Sequence, residues 1–436
     1  MRPEALLKRA EPKPTGPQRA WASRPEAQRP GPRRLRVAVA CTDPGIPVFG
    51  QKGASIHLQE VLRAFLRAGH RPVLFTPRPG GAAPPGLEDI PVVSLPPAEG
   101  ADAGAREEAM RQTDTALLEA LERGGPFDLV LQRYSLFSDA GMRVARQTGT
   151  PGILEVNAPL VDEQARHRTL VDRAGAVAGT RRALEAADLI VAVSPAVARW
   201  TRTMAPAAAS RVKVVPNGVD PTRFLRARIR DLRPSDAVMH LGFVGTLKPW
   251  HGVSTLLDAL ARLVRGGGAW HVTLVGDGPE RDALERQAEV LGVARHVTFL
   301  GAVPHERIPG LLAGFDVALA PYPASGDDGF YFSPLKVMEY LAAGVPVVAS
   351  RVGTLESLIE SGTHGLLVEP GNPDALASTL RELRRQPELR RSLGEAGRNL
   401  VCRRHTWDGV VETLLEGVGL ACPASLASPA SPASGS

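Results

Sequence analysis

The chain has 436 residues, enough for two domains of ordinary size, and its 43% hydrophobic content supports normal packed cores. Its net charge of +6 lies wholly in the first 34 residues, where nine Arg or Lys stand against three Glu. The rest carries no net charge, so a nucleic-acid-binding body is not indicated.

Cys41, Cys402 and Cys422 are too few and too scattered for a disulfide framework or a metal cluster. No run approaches the ~18 apolar residues of a membrane span. The N-terminus lacks an apolar signal core, so a reducing, cytoplasmic location is expected.

In chain order, residues 1–34 are Pro- and Arg-rich without an apolar period and are expected to be a disordered basic tail. Residues 35–40 form a strand-like run that ends in a glycine-containing loop, 45–53. Helical spacing follows over 56–68 and closes at Gly69 and His70. Further strand-like runs fall at 73–75, 129–132, 153–156, 189–193 and 212–215. Continuous apolar strands alternating with helices predict a parallel sheet covered on both faces.

The pattern restarts after a polar linker, 222–237, with strand-like runs at 241–244, 272–275, 297–300, 317–320, 345–349 and 365–368. The domain reading is therefore 35–221, a linker, and 238–405. A final helix over 406–420 is expected to cross back to the first domain, and an Ala/Ser/Pro tail begins at 423. Two such halves enclose a cleft, and ligands in these sheets bind at the carboxyl ends of the strands.

Three segments carry chemistry. Gly50-Gln51-Lys52-Gly53 precedes a helix, where glycines allow close backbone approach and the helix start favours anions. Gly276-Asp277-Gly278-Pro279 is a tight strand-to-helix turn. In Tyr331-Phe332-Ser333-Pro334-Leu335-Lys336-Val337-Met338-Glu339-Tyr340, Ser333 is the expected N-cap and Pro334 the first helical residue. The helix is expected to end near Ala343, before Gly344. Lys336 sits in the first turn, against dipole logic, a mismatch that a bound anion would offset. Glu339 lies in an apolar stretch, where it either accepts from ribose hydroxyls or faces water.

These segments, with Gly245 to Gly252, Val214 to Asp220, Gly344 to Ser350, Gly365 to Val368 and Thr406-Trp407, come in a telling order. It is the order seen in retaining GT-B glycosyltransferases of the group 1, family 4 kind, which the chain resembles over roughly residues 35–420. The resemblance implies an α/β GT-B fold, two Rossmann-like domains facing a central cleft. It implies transfer of a hexosyl group from a nucleotide-sugar donor, most often a UDP-sugar, to an acceptor hydroxyl with retention. No cofactor or metal is implied, and no Asp-x-Asp motif occurs; Asp327 and Asp328 are adjacent in an expected loop.

Family roles then fall on matching residues. The second carboxylate of the E-x7-E motif is Glu339, which implies a ribose contact; Tyr331 stands at the first. Phe332, Ser333, Pro334, Leu335 and Lys336 are expected to meet the sugar and phosphates, largely through main-chain N–H groups. In the phosphate loop that starts at Gly245, Thr246 replaces the usual Arg and His251 the usual Lys. Lys248 is therefore the first choice for the diphosphate and the leading catalytic candidate. Asn157, where relatives carry a histidine near the donor sugar, is the second. Gly53, Gly276 and Val303 complete the expected donor contacts, and Glu155 and Glu163 suit an acceptor.

A saccharide, a lipid-linked sugar or a small metabolite all fit as acceptor, with room for peripheral membrane contact. No oligomeric state is implied. An epimerase or phosphorylase on the same fold, or a non-catalytic GT-B binding protein, are the alternatives.

Overall fold

A computed structural model of the chain describes residues 33–224, 238–324, 331 and 333–420. The tail through residue 32, linker residues 225–237, Asp327, Asp328, Phe332 and the tail from 423 lie outside these.

The first sheet contains β1 (Arg36–Cys41), β2 (Arg71–Thr76), β3 (Val92–Ser94), β4 (Leu129–Arg133), β5 (Gly152–Val156), β6 (Leu189–Ala192) and β7 (Val212–Val214). Its order is β3-β2-β1-β4-β5-β6-β7, and every pairing is parallel. All residues of β4 and β5 are buried, as a sheet covered on both faces requires. Along β1 the side chains alternate between two cores. Ala38 and Ala40 face one, and Val37, Val39 and Cys41 the other.

The second sheet contains β8 (Met239–Val244), β9 (Trp270–Val275), β10 (Val297–Gly301), β11 (Val317–Ala320), β12 (Val347–Ser350) and β13 (Leu366–Val368). Its order is β10-β9-β8-β11-β12-β13, again wholly parallel. The strand order reverses between β1 and β4 in one sheet and between β8 and β11 in the other. Those reversals open the crevices in which α/β folds take ligands.

β3 is a three-residue edge strand that the sequence pattern does not mark. The expected linker also starts too early. Pro221–Phe224 is a 3-10 turn whose Phe224 is buried beside Tyr340 and Leu341. Arg33, assigned to the tail, pairs with Asp128 at 2.7 Å.

The last helix, Trp407–Gly417, follows the second half yet packs on the first. Trp407, Val410, Val411, Leu414 and Leu415 share a core with Val37 and Val39. Thr406 caps it, accepting from Gly409 N at 3.1 Å. Two main-chain bonds, Val219 N to His405 O and Trp407 N to Val219 O, tie its start to the segment leaving the first sheet. Arg67 pairs with both Asp220 and Asp408 at the same place.

Candidate functional site

The loop after β8 sits at the crevice of the second sheet. Gly245 N donates to Val275 O, Leu247 N to Asp277 O and Glu280 N to Leu247 O. These bonds zip the β8 loop to the β9 turn. The backbones lie so close that a β-carbon on Gly276 would overlap Gly245 O, and one on Gly278 would overlap Leu247 O. Gly245 and Gly276 also have φ of 149° and 133°, where side chains are disfavoured. Gly276 therefore shapes the loop from behind. Gly252 passes against Pro321 O, which joins the β8 and β11 loops across the strand-order reversal.

Helix Leu335–Ala342 descends beside this loop. Its anchor is Tyr340, whose hydroxyl accepts from Val244 N at 2.7 Å. Gly344, with φ of 71°, closes the helix as Val345 N reaches back to Tyr340 O. The start differs from expectation. Pro334 occupies the cap position, and the helix begins at Leu335. Ser333 does not cap it: its Oγ accepts from Asn217 N, and Asn217 Nδ2 donates to Ser333 O. A contact to the segment leaving the first sheet thus outcompetes the local capping role.

Lys336 is buried. Its Nζ lies 4.3 Å from the Phe243 ring centre and 5.4 Å from that of Tyr322, and it has no hydrogen-bond partner among the described residues. Burial lowers its pKa to about 7, with Glu339 pulling the other way. Glu339 is fixed from the opposite side, with Oε1 2.5 Å from His305 Nε2. Arg223 donates to His305 Nδ1 at 2.9 Å, so the ring carries its proton on Nε2 and donates it to Glu339. Arg223 also pairs with Glu60 of helix Gly53–Arg67 at 3.0 Å. Glu339 is thus linked through two side chains to the first half. Val303 is half-buried in the loop before His305.

His251 stands on the loop after β8, with Nδ1 2.5 Å from Thr246 O. Burial, then Lys336 and Lys248, lower its pKa to about 3, so it is neutral and donates from Nδ1. It brings no positive charge to the position of the family lysine. Lys248 is half-exposed, 5.5 Å from the ring centre of Trp250. Thr246 is exposed.

Across the cleft, Glu155 is the penultimate residue of β5. Its Oε1 is 2.6 Å from His57 Nε2, and its Oε2 accepts from Asn157 Nδ2 at 3.1 Å and lies 3.5 Å from Arg133. Burial would raise the carboxyl, but His57, Arg133 and Asn157 outweigh it and hold its pKa at about 2. Asn157 is oriented by this carboxylate. The Tyr331 hydroxyl donates to Glu163 of helix Leu160–His167, joining the two halves. Gly53 opens helix Gly53–Arg67 with free space around its α-carbon.

The sequence reading brings Lys336, Glu339, Gly245, Gly276 and His251 into one region. It misses His305, Arg223 and Tyr322, whose places depend on tertiary packing. It also misses His57, a helix residue with no local signal. Among the described residues no cluster of His, Cys, Asp and Glu could hold a metal ion, and no helix is long and apolar enough to cross a membrane.

Two parallel-sheet halves with glycine loops and a Lys/Glu helix at one crevice form the GT-B arrangement of two Rossmann-like domains. Residues 239–386 match the family model described as Glycosyl transferases group 1, and residues 51–223 the one described as Glycosyltransferase Family 4. The chain belongs to this glycosyltransferase family.

It is 28% identical to D-inositol 3-phosphate glycosyltransferase of Salinispora arenicola, over 93% of this chain and 96% of that protein. It is 32% identical to the GDP-mannose-dependent alpha-(1-6)-phosphatidylinositol monomannoside mannosyltransferase of Mycolicibacterium smegmatis, over 51% of this chain and 59% of that one. Among solved structures, sucrose-phosphate synthase from Thermosynechococcus elongatus has a TM-score of 0.68 at 22% identity, covering 88% of this chain and 98% of that one. Anabaena HepE in complex with UDP and glucose has a TM-score of 0.64 at 20% identity, covering 88% and 99%.

Proposed function

We propose that the chain transfers a hexosyl group from a nucleoside diphosphate sugar to an acceptor hydroxyl, with retention and without a metal. The observation that carries this reading is Glu339. It stands at the crevice of the second sheet, with one oxygen held by His305 and the other as the proposed acceptor for a ribose hydroxyl. The β8 loop and the start of helix Leu335–Ala342 lie beside it, where main-chain N–H groups suit phosphates. Lys248 is part of the same β8 loop.

In the proposed step, the bond between the anomeric carbon and the diphosphate breaks and its electron pair stays on the diphosphate. The acceptor oxygen bonds to the same carbon from the same face. Its proton passes to the departing phosphate oxygen. Groups that meet the growing charge on the diphosphate act mainly in the transition state. Asn157, oriented by Glu155, is the proposed contact to the donor sugar from the first half.

UDP-hexoses are the first donors to test, with GDP-mannose beside them because one relative is named for it. Inositol phosphates are the first acceptors, after another relative's name. The test is nucleoside diphosphate release with these pairs, in EDTA, followed by NMR of the product's anomeric proton. A product of the donor's anomeric configuration is expected. An inverted product, or activity that EDTA abolishes and Mg²⁺ restores, contradicts the reading.

A further inference from the structure

Lys336 presents an unusual combination. An ammonium group has three donors and normally keeps them paired or hydrated. Here Nζ is buried and, among the described residues, unpaired, with two aromatic faces near it. Ring faces offset part of the lost hydration but supply no hydrogen-bond acceptor. Gly245 lies beside it, where a β-carbon would stand 2.6 Å from Nζ. Any other residue at 245 would occupy the space beside the ammonium.

The charged and titratable groups around it do not settle the charge. Glu339, one turn along the same helix, pulls toward the charged form but is bonded to His305. His251 and Lys248, from the β8 loop, are neutral and like-charged respectively. Tyr322, from the β11 loop, is a buried phenol whose pKa burial raises, so it is also neutral. Tyr340, on the same helix, is bonded to Val244.

We infer that Lys336 is the cation that meets the donor's diphosphate, and that a diphosphate and a proton enter the site together. This rests on the donor reading of the site above. An anion placed at the Gly245 loop supplies the missing acceptor and favours the charged form. Without it, the buried ammonium titrates near neutrality, at about 7. Binding above that pH must therefore draw a proton from solvent.

The test is calorimetric titration of the full chain with UDP, GDP and inorganic pyrophosphate, in pairs of buffers that differ in ionisation heat. At pH 8 about one proton is taken up per diphosphate bound, and affinity falls about tenfold per pH unit above 7. At pH 6 uptake is small. Lys336→Met loses the uptake and binds at least tenfold more weakly, whereas His251→Gln keeps the uptake. Should Lys336→Met fail to fold, the pH profile of the unmodified chain decides alone. Binding at pH 8 without proton uptake, or uptake that survives in Lys336→Met, overturns the inference and leaves the donor reading standing. No binding of any of the three probes overturns both.

Discussion

A β-carbon built on Gly245 would stand 2.6 Å from the ammonium nitrogen of Lys336, so the glycine and the lysine share one space at the crevice of the second sheet. Gly245 also has a φ of 149°, which side chains rarely adopt. Gly245→Ala should therefore cost stability on the order of 1–3 kcal/mol from backbone strain. It should also weaken nucleoside diphosphate binding, because Lys336, held between Phe243 and Tyr322, has little room to give way. Melting and calorimetry on the variant check both effects. Unchanged nucleotide affinity would separate Gly245 from the site.

Glu339→Ala should weaken the donor and the free nucleoside diphosphate together, because the ribose is common to both. Loss of a charged hydrogen bond costs on the order of 1.5–3 kcal/mol, or roughly tenfold to a hundredfold in affinity. Loss for the sugar nucleotide alone, with the diphosphate unaffected, would move Glu339 from the ribose to the sugar.

Lys336→Met should stabilise the free protein while impairing it. The lysine's pKa falls from 10.5 to about 7 on folding. The folded state therefore binds fewer protons than the unfolded chain between those values, and stability rises with pH across that window. The penalty is complete below about pH 7 and gone above about 10.5. A gain in Tm of about 2 °C or more is expected at pH 6, shrinking toward pH 10. Turnover should drop by about 10²–10³, and Lys248→Ala should cost less than tenfold. A larger loss at Lys248 would make the loop lysine the principal cation.

Glu155 carries the opposite dependence. Its pKa falls from 4.5 in the unfolded chain to about 2 when folded. Its stabilisation is complete above about pH 4.5 and is lost as the pH falls toward 2. The shift corresponds to about 3 kcal/mol. Glu155→Gln should lower stability by about that amount at pH 7, with the difference from the unmodified chain closing below pH 4. Denaturant melts across this range check it. Parallel curves would mean that the carboxylate's charge contributes nothing.

Much of the fold was legible because burial on both faces leaves a local trace. The apolar run 129–132 became β4 within a residue, and 317–320 became β11 without change. Val92–Ser94 left no such trace, being three residues at an edge with none of them fully buried. The site was legible in part. The misplaced charge of Lys336 in a first helical turn already singled that residue out as one that a bound anion would offset. Its burial depends on Phe243 and Tyr322, which lie on two other strands' ends and carry no local signal. Ser333 shows the limit of local rules. It has the composition of a cap, yet Asn217 takes its side chain. The glycines at 276 and 278 read as turn residues, whereas their need comes from the neighbouring backbone of Gly245 and Leu247.

The central claim is that the crevice of the second sheet binds a sugar nucleotide for transfer. The most direct measurement is release of nucleoside diphosphate from UDP- and GDP-hexoses by the unmodified chain, beside Glu339→Ala and Lys336→Met. The account predicts turnover of at least one donor, falling in both variants while their melting stays cooperative. Equal turnover in all three proteins, or no turnover and no nucleotide binding by a well-folded unmodified chain, would contradict it.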